Sequence, residues 1–262
     1  MGKKTTEHSN QDLFDRYYVD IYGERWTKLR TALLVQRTPV EFSAGLVRPY
    51  FMDEASIIAA RALPVRPHDA VLDMCAAPGG KTLVLATRLG QDGSLVANDR
   101  SASRRSRLHA VLDGYLPAEI RAKVTVTGHD STRWSLHQRD MYDSILLDAP
   151  CSSERHVLTT PSALKEWSPS RPKRLSVQQF AMLAAALDAV KPEGYILYST
   201  CALAPIENEQ VIQKLLERRK GRCETVPLSF EAAENRDAGY IILPDTADGR
   251  GPLYFCLIRR TA

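Results

Sequence analysis

The chain has 262 residues, 44% of them hydrophobic and 25% charged, with a formal net charge of +4. That length is enough for one large α/β core with a small appendage, and the composition excludes a disordered or low-complexity chain. No apolar run approaches the roughly 20 residues needed to cross a bilayer, and the mildly basic balance permits a polyanionic partner without requiring one.

The opening Met1-Gly2-Lys3-Lys4-Thr5-Thr6 lacks the apolar core of a secretory signal. It fits the N-myristoylation pattern formally, a match that so short a pattern makes by chance. Residues 10–35 predict a helical pair. Phe14, Tyr17, Tyr18, Ile21 and Tyr22 recur at helical spacing, Gly23 interrupts, and Trp26, Leu29, Leu33 and Leu34 resume. Asn10 is the expected N-cap, and the aromatic stripe is expected to pack into a core rather than to stack bases. A connector over 36–53 contains Pro39 and Pro49 and leads to a helix at 54–63.

From residue 69 strands and helices alternate as in a doubly wound sheet. Ala70–Met74 is the first strand, followed by a glycine turn and a helix through Leu83 and Leu85. Ser94–Asp99 is the second strand, and a basic helix over 102–115 carries Arg104, Arg105 and Arg107. Lys123–Thr127 and Met141–Leu147 are the third and fourth strands, and a long proline-containing loop is expected over 151–174. A helix at 175–190, a fifth strand at 194–199 and a helix at 206–219 follow. Apolar runs at Tyr240–Leu243 and Leu253–Ile258 complete the sheet.

The turn Asp73-Met74-Cys75-Ala76-Ala77-Pro78-Gly79-Gly80-Lys81-Thr82 joins the first strand to its helix. Two glycines let backbone approach a ligand, and the helix start offers free amide donors. Gly80-Lys81-Thr82 matches the tail of a phosphate-binding P-loop, but the glycine required five positions before Gly80 is Cys75, so that motif fails. A turn without a phosphate cradle suits a nucleoside ligand that carries no phosphate. Asp99, Asp130 and Asp148 end the second, third and fourth strands. A carboxylate ending the second strand of such a sheet, here Asp99, commonly takes ribose hydroxyls.

Two cysteines occupy matching places. Cys151 closes Ile145–Cys151 and Cys201 closes Tyr195–Cys201, each just past a strand-like run. If the two strands are neighbours, both thiols reach one cleft at the carboxyl edge of the sheet. The five cysteines are odd in number and lack CxxC spacing, which favours neither a disulfide framework nor a zinc site and suggests a reducing compartment. Cys223 and Cys256 lie in apolar surroundings and are expected in the core. A second basic cluster, Arg155, Lys165, Arg171, Lys173 and Arg174, could track phosphates together with His156, while Trp167 could stack a base or anchor the loop.

These motifs together resemble the Sun/Fmu (RsmB-type) family of S-adenosylmethionine-dependent RNA cytosine-5 methyltransferases. The resemblance rests on Asp73–Thr82, Asn98-Asp99-Arg100-Ser101 with Arg104, Leu147-Asp148-Ala149-Pro150-Cys151-Ser152, Tyr198-Ser199-Thr200-Cys201 and Pro205-Ile206-Glu207-Asn208-Glu209. Met52-Asp53-Glu54-Ala55-Ser56 resembles a run that precedes the core, with Met52 where glutamine is usual. The resemblance covers about 45–260, and the opening helices are similar to those of the short animal mitochondrial members, notably the small-subunit rRNA enzyme.

The resemblance implies a Rossmann-like methyltransferase fold, a mostly parallel seven-stranded sheet with helices on both faces and one antiparallel strand. It implies a helical extension over 1–45 and a catalytic domain over 46–262. S-adenosylmethionine would bind at Cys75, Ala76, Ala77, Pro78, Gly79, Gly80 and Lys81, with Asp99 on the ribose, Arg104 nearby, and Asp130 and Ser131 near the adenine. Asp148 would border both cofactor and base. Cytosine carbon 5 is a poor nucleophile until a thiolate adds at carbon 6. An acid at the N3 edge then offsets the charge that builds there, which is the role expected of a partly protonated Asp148. Position alone does not say which thiol attacks; the resemblance assigns Cys201 as nucleophile and Cys151 as the thiol that assists release.

The implied substrate is RNA, with small-subunit rRNA ahead of tRNA, used single-stranded or flipped out. A protein partner could supply RNA affinity, and a monomeric, cytoplasmic catalytic unit is expected, or one in the mitochondrial matrix for a eukaryotic source. The alternatives are an idle RNA-binding assembly factor on the same scaffold and, disfavoured by Cys75, a P-loop NTPase.

Overall fold

The structure, a computed structural model, describes residues 10–262. Met1–Ser9, with the myristoylation-type pattern, lies outside the described residues. Helices α1 (Asn10–Tyr22) and α2 (Arg25–Leu34) form the expected pair. Asn10 is the first residue of α1 rather than its cap, and its side-chain amide donates to the Lys165 carbonyl. Strands β1 (Val40–Phe42) and β2 (Tyr50–Met52) form a separate antiparallel ribbon. Asp53 then caps α3 (Glu54–Ala62), its carboxylate accepting from the Ala55 amide at 2.8 Å.

The main layer follows in alternation: β3 (Ala70–Asp73), α4 (Gly80–Ala86), β4 (Ser94–Asn98), α5 (Ala102–Tyr115), the short α6 (Ala118–Arg121), β5 (Val124–Thr127) and β6 (Tyr142–Asp148). Then come α7 (Glu154–Thr159), α8 (Pro161–Lys165), α9 (Ser170–Ala189), β7 (Val190–Thr200) and α10 (Glu209–Arg218). Four strands close the chain: β8 (Cys223–Val226), β9 (Glu234–Asn235), β10 (Tyr240–Ile242) and β11 (Leu253–Arg260).

The sheet runs β5-β4-β3-β6-β7-β11-β10-β9, with β8 also on β11. Strands β5 to β7 are parallel and β11 is antiparallel to β7. Strand order reverses between β3 and β6, so the crevice outside their carboxyl ends is a topological switch point, where ligands collect in such sheets.

Side chains alternate between two cores as the pleat requires. Leu72, Ile145, Leu147, Ile196, Tyr198 and Tyr254 face α1, α2, α9 and α10, while Val71, Leu146, Leu197 and Phe255 face α3, α4 and α5.

Two expectations change. The sheet has nine strands among the described residues rather than seven, because β8 and β9 are four and two residues long and too short to display alternation. Residues 151–174 are not a long loop: they hold α7, α8 and the start of α9. The prolines that suggested a loop sit in first turns, Pro161 starting α8 and Pro172 in the opening turn of α9, where a missing amide donor costs no helix bond. Trp167 is 2% exposed and packs edge-on against Phe14 with ring centroids 4.9 Å apart, so it anchors α1 rather than stacking a base.

Candidate active site

The β3–α4 turn is fixed by its backbone. The Met74 amide donates to Leu146 at 2.9 Å and the Ala76 amide to Asn98 at 2.8 Å, while Ser131 Oγ donates to the Met74 carbonyl at 2.8 Å. Gly79 has φ +123°, and a Cβ there would meet Val111 at 2.9 Å, so both conformation and space require glycine. Asp73 is fully buried behind the turn. Thr82 donates to its Oδ2 at 2.7 Å and Oδ1 has no partner. Burial pushes its carboxyl up to about 7.

A cavity of about 360 Å³ opens beside this turn, lined by Cys75, Asp99, Ser101, Arg104, Asp130, Ser131 and Met182 among others. Asp99 is 5% exposed, accepts from the Ser101 amide at 2.9 Å and faces Arg104 Nε at 3.2 Å. Arg104 also donates to the Ala77 carbonyl at 2.6 Å, which joins the turn to α5. Asp130 caps the segment after β5, and the Thr132 hydroxyl, 2.8 Å away, helps hold its carboxyl below the ordinary range. Two carboxylates around a slot that Met182 also lines suit a ligand with the polarity of a nucleoside.

A larger cavity of about 740 Å³ adjoins it, and Cys75 and Arg104 line both. Register brings the two cysteines here: Asp148 on β6 lies opposite Ser199 on β7, and each thiol follows within three residues. Cys151 Sγ and Cys201 Sγ are 2.9 Å apart, both free thiols. Ser153 Oγ stands 3.1 Å from Cys201 Sγ and 3.5 Å from Cys151 Sγ. The Cys151 thiol donating to Cys201 lowers the Cys201 pKa, although burial opposes it. The same contact, with burial, holds Cys151 well above the ordinary thiol range. The pair thus has one sulfur disposed to carry charge and one disposed to keep its proton.

Beside the thiols, Lys81 Nζ donates to Asp148 Oδ2 at 2.8 Å and Ser199 Oγ to Oδ1 at 2.8 Å. Burial alone would lower Lys81, but the Asp148 carboxylate outweighs it and holds the ammonium above its usual range. Asp148, expected as a partly protonated acid, meets the Lys81 ammonium.

Behind the thiols two buried carboxylates brace the loops reciprocally. Glu154, just past Cys151, accepts from the Leu203 amide at 2.9 Å; Glu207, past Cys201, accepts from the Ser152 amide at 3.0 Å and from Gln179 Nε2 at 2.9 Å. Ser152 Oγ contacts both carboxylates, and Tyr18 donates its phenol to Glu154. One hydroxyl hydrogen serves only one acceptor, so one carboxyl must keep its proton. Burial, reinforced by Glu154, pushes Glu207 up to about 7.

The expected site residues line adjoining cavities, except Gly79, which turns toward α5. From the basic 154–174 stretch, Arg155 and His156 reach the thiol cavity, whereas Lys165, Arg171, Lys173 and Arg174 line neither it nor the Asp99 cavity. Sequence reasoning missed Ser153, Ser199 and the Glu154–Glu207 brace. Glu207 did fall in a recognised run, but its partner lies 55 residues away in Ser152.

This strand order, with the reversed β11 beside β7, is the Rossmann-like methyltransferase fold. A solved "Methyltransferase Homolog Protein from Pyrococcus Horikoshii" superposes with a TM-score of 0.74 at 24% identity, over 95% of this chain and 94% of that one. Residues 60–257 match the family described as 16S rRNA methyltransferase RsmB/F, and the chain belongs to that family. The 5-cytosine rRNA methyltransferase NSUN4 of Bos taurus is 39% identical over 235 residues, 83% of this chain and 61% of the relative. The mitochondrial tRNA (cytosine(34)-C(5))-methyltransferase of Danio rerio is 31% identical over 236 residues, 85% of this chain and 64% of the relative. The chain thus spans about three fifths of the length of these two relatives.

Proposed function

We propose that this chain is an RNA cytosine-5 methyltransferase that uses S-adenosylmethionine and acts on small-subunit rRNA. The observation that carries this is the thiol pair, 2.9 Å apart, in one cavity with the Lys81–Asp148 pair and next to the nucleoside-type slot at Asp99. The turn from Cys75 to Lys81, with Asp99, Arg104, Asp130 and Ser131, would hold the cofactor, which supplies an electrophilic methyl group when bound. Asp73, buried with an unpartnered oxygen behind the turn, fits a ligand that brings a donor, as the amino group of an amino acid does.

Cys201 adds as thiolate to carbon 6 of a cytosine, and the ring's electron density moves to carbon 5 and toward N3. The Lys81–Asp148 pair carries one proton at the ring's polar edge and offsets that charge. After methylation the carbon 5 proton passes to solvent, its bond electrons restore the ring double bond, and the carbon 6–sulfur bond breaks. Cys151, still protonated, donates to the departing Cys201 thiolate.

All of these groups come from one chain, which supports a monomeric catalytic unit. We further propose that a protein partner supplies part of the RNA affinity. We divide the chain into a helical extension over 1–45 and a catalytic domain over 46–262. No helix of the described residues is long and apolar enough to cross a membrane. Five free thiols suit the cytoplasm or a mitochondrial matrix.

Transfer of labelled methyl from S-adenosylmethionine to small-subunit rRNA, with bisulfite mapping of the product, tests the proposal. Label at a single rRNA cytosine is expected. Label in tRNA alone would move the substrate to the tRNA branch, and no label in any RNA would leave an idle assembly factor.

A further inference from the structure

Ser153 begins helix α7 from the N-cap position, where serine ordinarily adopts extended backbone and lends its oxygen to the first free amides. It does neither. Its backbone is left-handed, φ 54° and ψ 63°, and its side chain makes no capping bond. Non-glycine residues reach that conformation only where surroundings over-determine it. Here they do: the Ser152 amide is held by Glu207, Ser152 Oγ by both carboxylates, and the Ser153 carbonyl accepts from the Val157 amide at 3.0 Å. The strain and the missing cap have one visible result. The hydroxyl is carried away from α7 and set 3.1 Å from Cys201 Sγ, at the wall of the larger cavity.

We propose that Ser153 is a catalytic residue of the thiol centre, its hydroxyl donating to the Cys201 sulfur whenever that sulfur is negative. This rests on Cys201 being the attacking thiol. A thiolate has no hydrogen to give, so Ser153 must be the donor in the charged state. Cys151 is the other donor to the same sulfur, at 2.9 Å. Two donors hold the thiolate in the free enzyme and receive it again when it leaves carbon 6. The hydroxyl is worth more to the thiolate than to the thiol or thioether, so it favours both ionisation before attack and expulsion after methylation.

Two variants of the full chain test this, Ser153→Ala and Ser153→Gly. Cys201 alkylation by iodoacetamide is followed against pH without RNA or cofactor, and the modified peptide is distinguished from that of Cys151 by mass spectrometry. Both variants should raise the pH midpoint of Cys201 alkylation by about half to one unit and lower kcat roughly three- to tenfold, with KM little changed. Ser153→Gly should also raise Tm, because glycine relieves the left-handed backbone, so activity falls as stability rises. An unchanged midpoint in a folded Ser153→Gly protein overturns the proposal. A shifted midpoint in a chain whose Cys201→Ala variant still methylates RNA would instead uphold the contact and refute Cys201 as nucleophile.

Discussion

Both ends of the parallel sheet carry acidic and basic side chains around a cavity, yet they use them differently. At the amino end, Asp143 accepts from Lys191 Nζ at 2.8 Å and from the Ala70 amide at 2.9 Å, and Asp69 accepts from the Arg66 amide at 2.8 Å. Burial pushes Asp143 up, but Lys191 and the amide outweigh it and hold its carboxyl below the ordinary range. At the carboxyl end, Asp73 keeps an unpartnered oxygen, two thiols share one contact and two buried carboxylates share one hydroxyl. The cavity there is about 740 Å³ against about 180 Å³ at the other end. The amino end satisfies its charges locally and contributes to stability, whereas the carboxyl end leaves them incompletely satisfied, as groups that must react require.

Substitution at each end sharpens the contrast. Cys201→Ala should lower methyl transfer by about four orders of magnitude or more while cofactor affinity by calorimetry stays unchanged; retained turnover would remove Cys201 from the chemistry. Asp99→Ala should weaken cofactor binding by about ten- to a hundredfold, the cost of losing hydrogen bonds from a carboxylate, and an unaltered Kd would empty the slot of its assigned role.

Glu207→Gln probes the brace. The folded-state pKa of Glu207, about 7, lies above its ordinary 4.5, so the folded chain holds a proton that the unfolded chain releases. Its contribution to stability is full below about pH 4.5 and is lost as pH rises through 7. Glutamine reproduces the protonated group, accepting from the Ser152 amide and donating to Ser152 Oγ. The variant should melt roughly 3 to 8 °C above the parent at pH 8 and close to it at pH 4.5. Equal Tm differences at both pH values would refute a shared proton. Lys191→Met, at the amino end, should cost at most about 1 kcal/mol in urea unfolding, since the pair is part-exposed, and should leave kcat unchanged. A large kcat loss there would erase the distinction between the two ends.

The parallel half of the sheet was legible because its inner strands β3 and β6 are buried on both faces and appear as short apolar runs between turn residues. The α5 helix was legible at both ends, 102 and 115, since Ser101 caps it and Pro117 follows it. Residues 151–174 were not, because a proline in a first helical turn is indistinguishable by type from one in a loop. The last part of the sheet was only partly readable: β10 and β11 appear as apolar runs, whereas β8, which pairs with β11, and the two-residue β9 are too short to declare a period. Within the site, strand-end position was enough to bring Cys151, Cys201, Asp148 and Asp99 together. The groups that tune them were hidden: Ser153 departs from the usual serine cap, and Glu154 and Glu207 reach across to each other's loops, a relation no local spacing encodes.

The roles of the two thiols separate when the Cys151→Ala variant is incubated with S-adenosylmethionine and RNA that the parent methylates, and the products are resolved under denaturing conditions. A protein–RNA adduct should accumulate, with mass spectrometry locating the cytosine on Cys201 and no adduct in the Cys151→Ala, Cys201→Ala double variant. An adduct that persists in the double variant would remove Cys201 as the nucleophile, and none with an RNA the parent methylates would remove Cys151 as the release thiol.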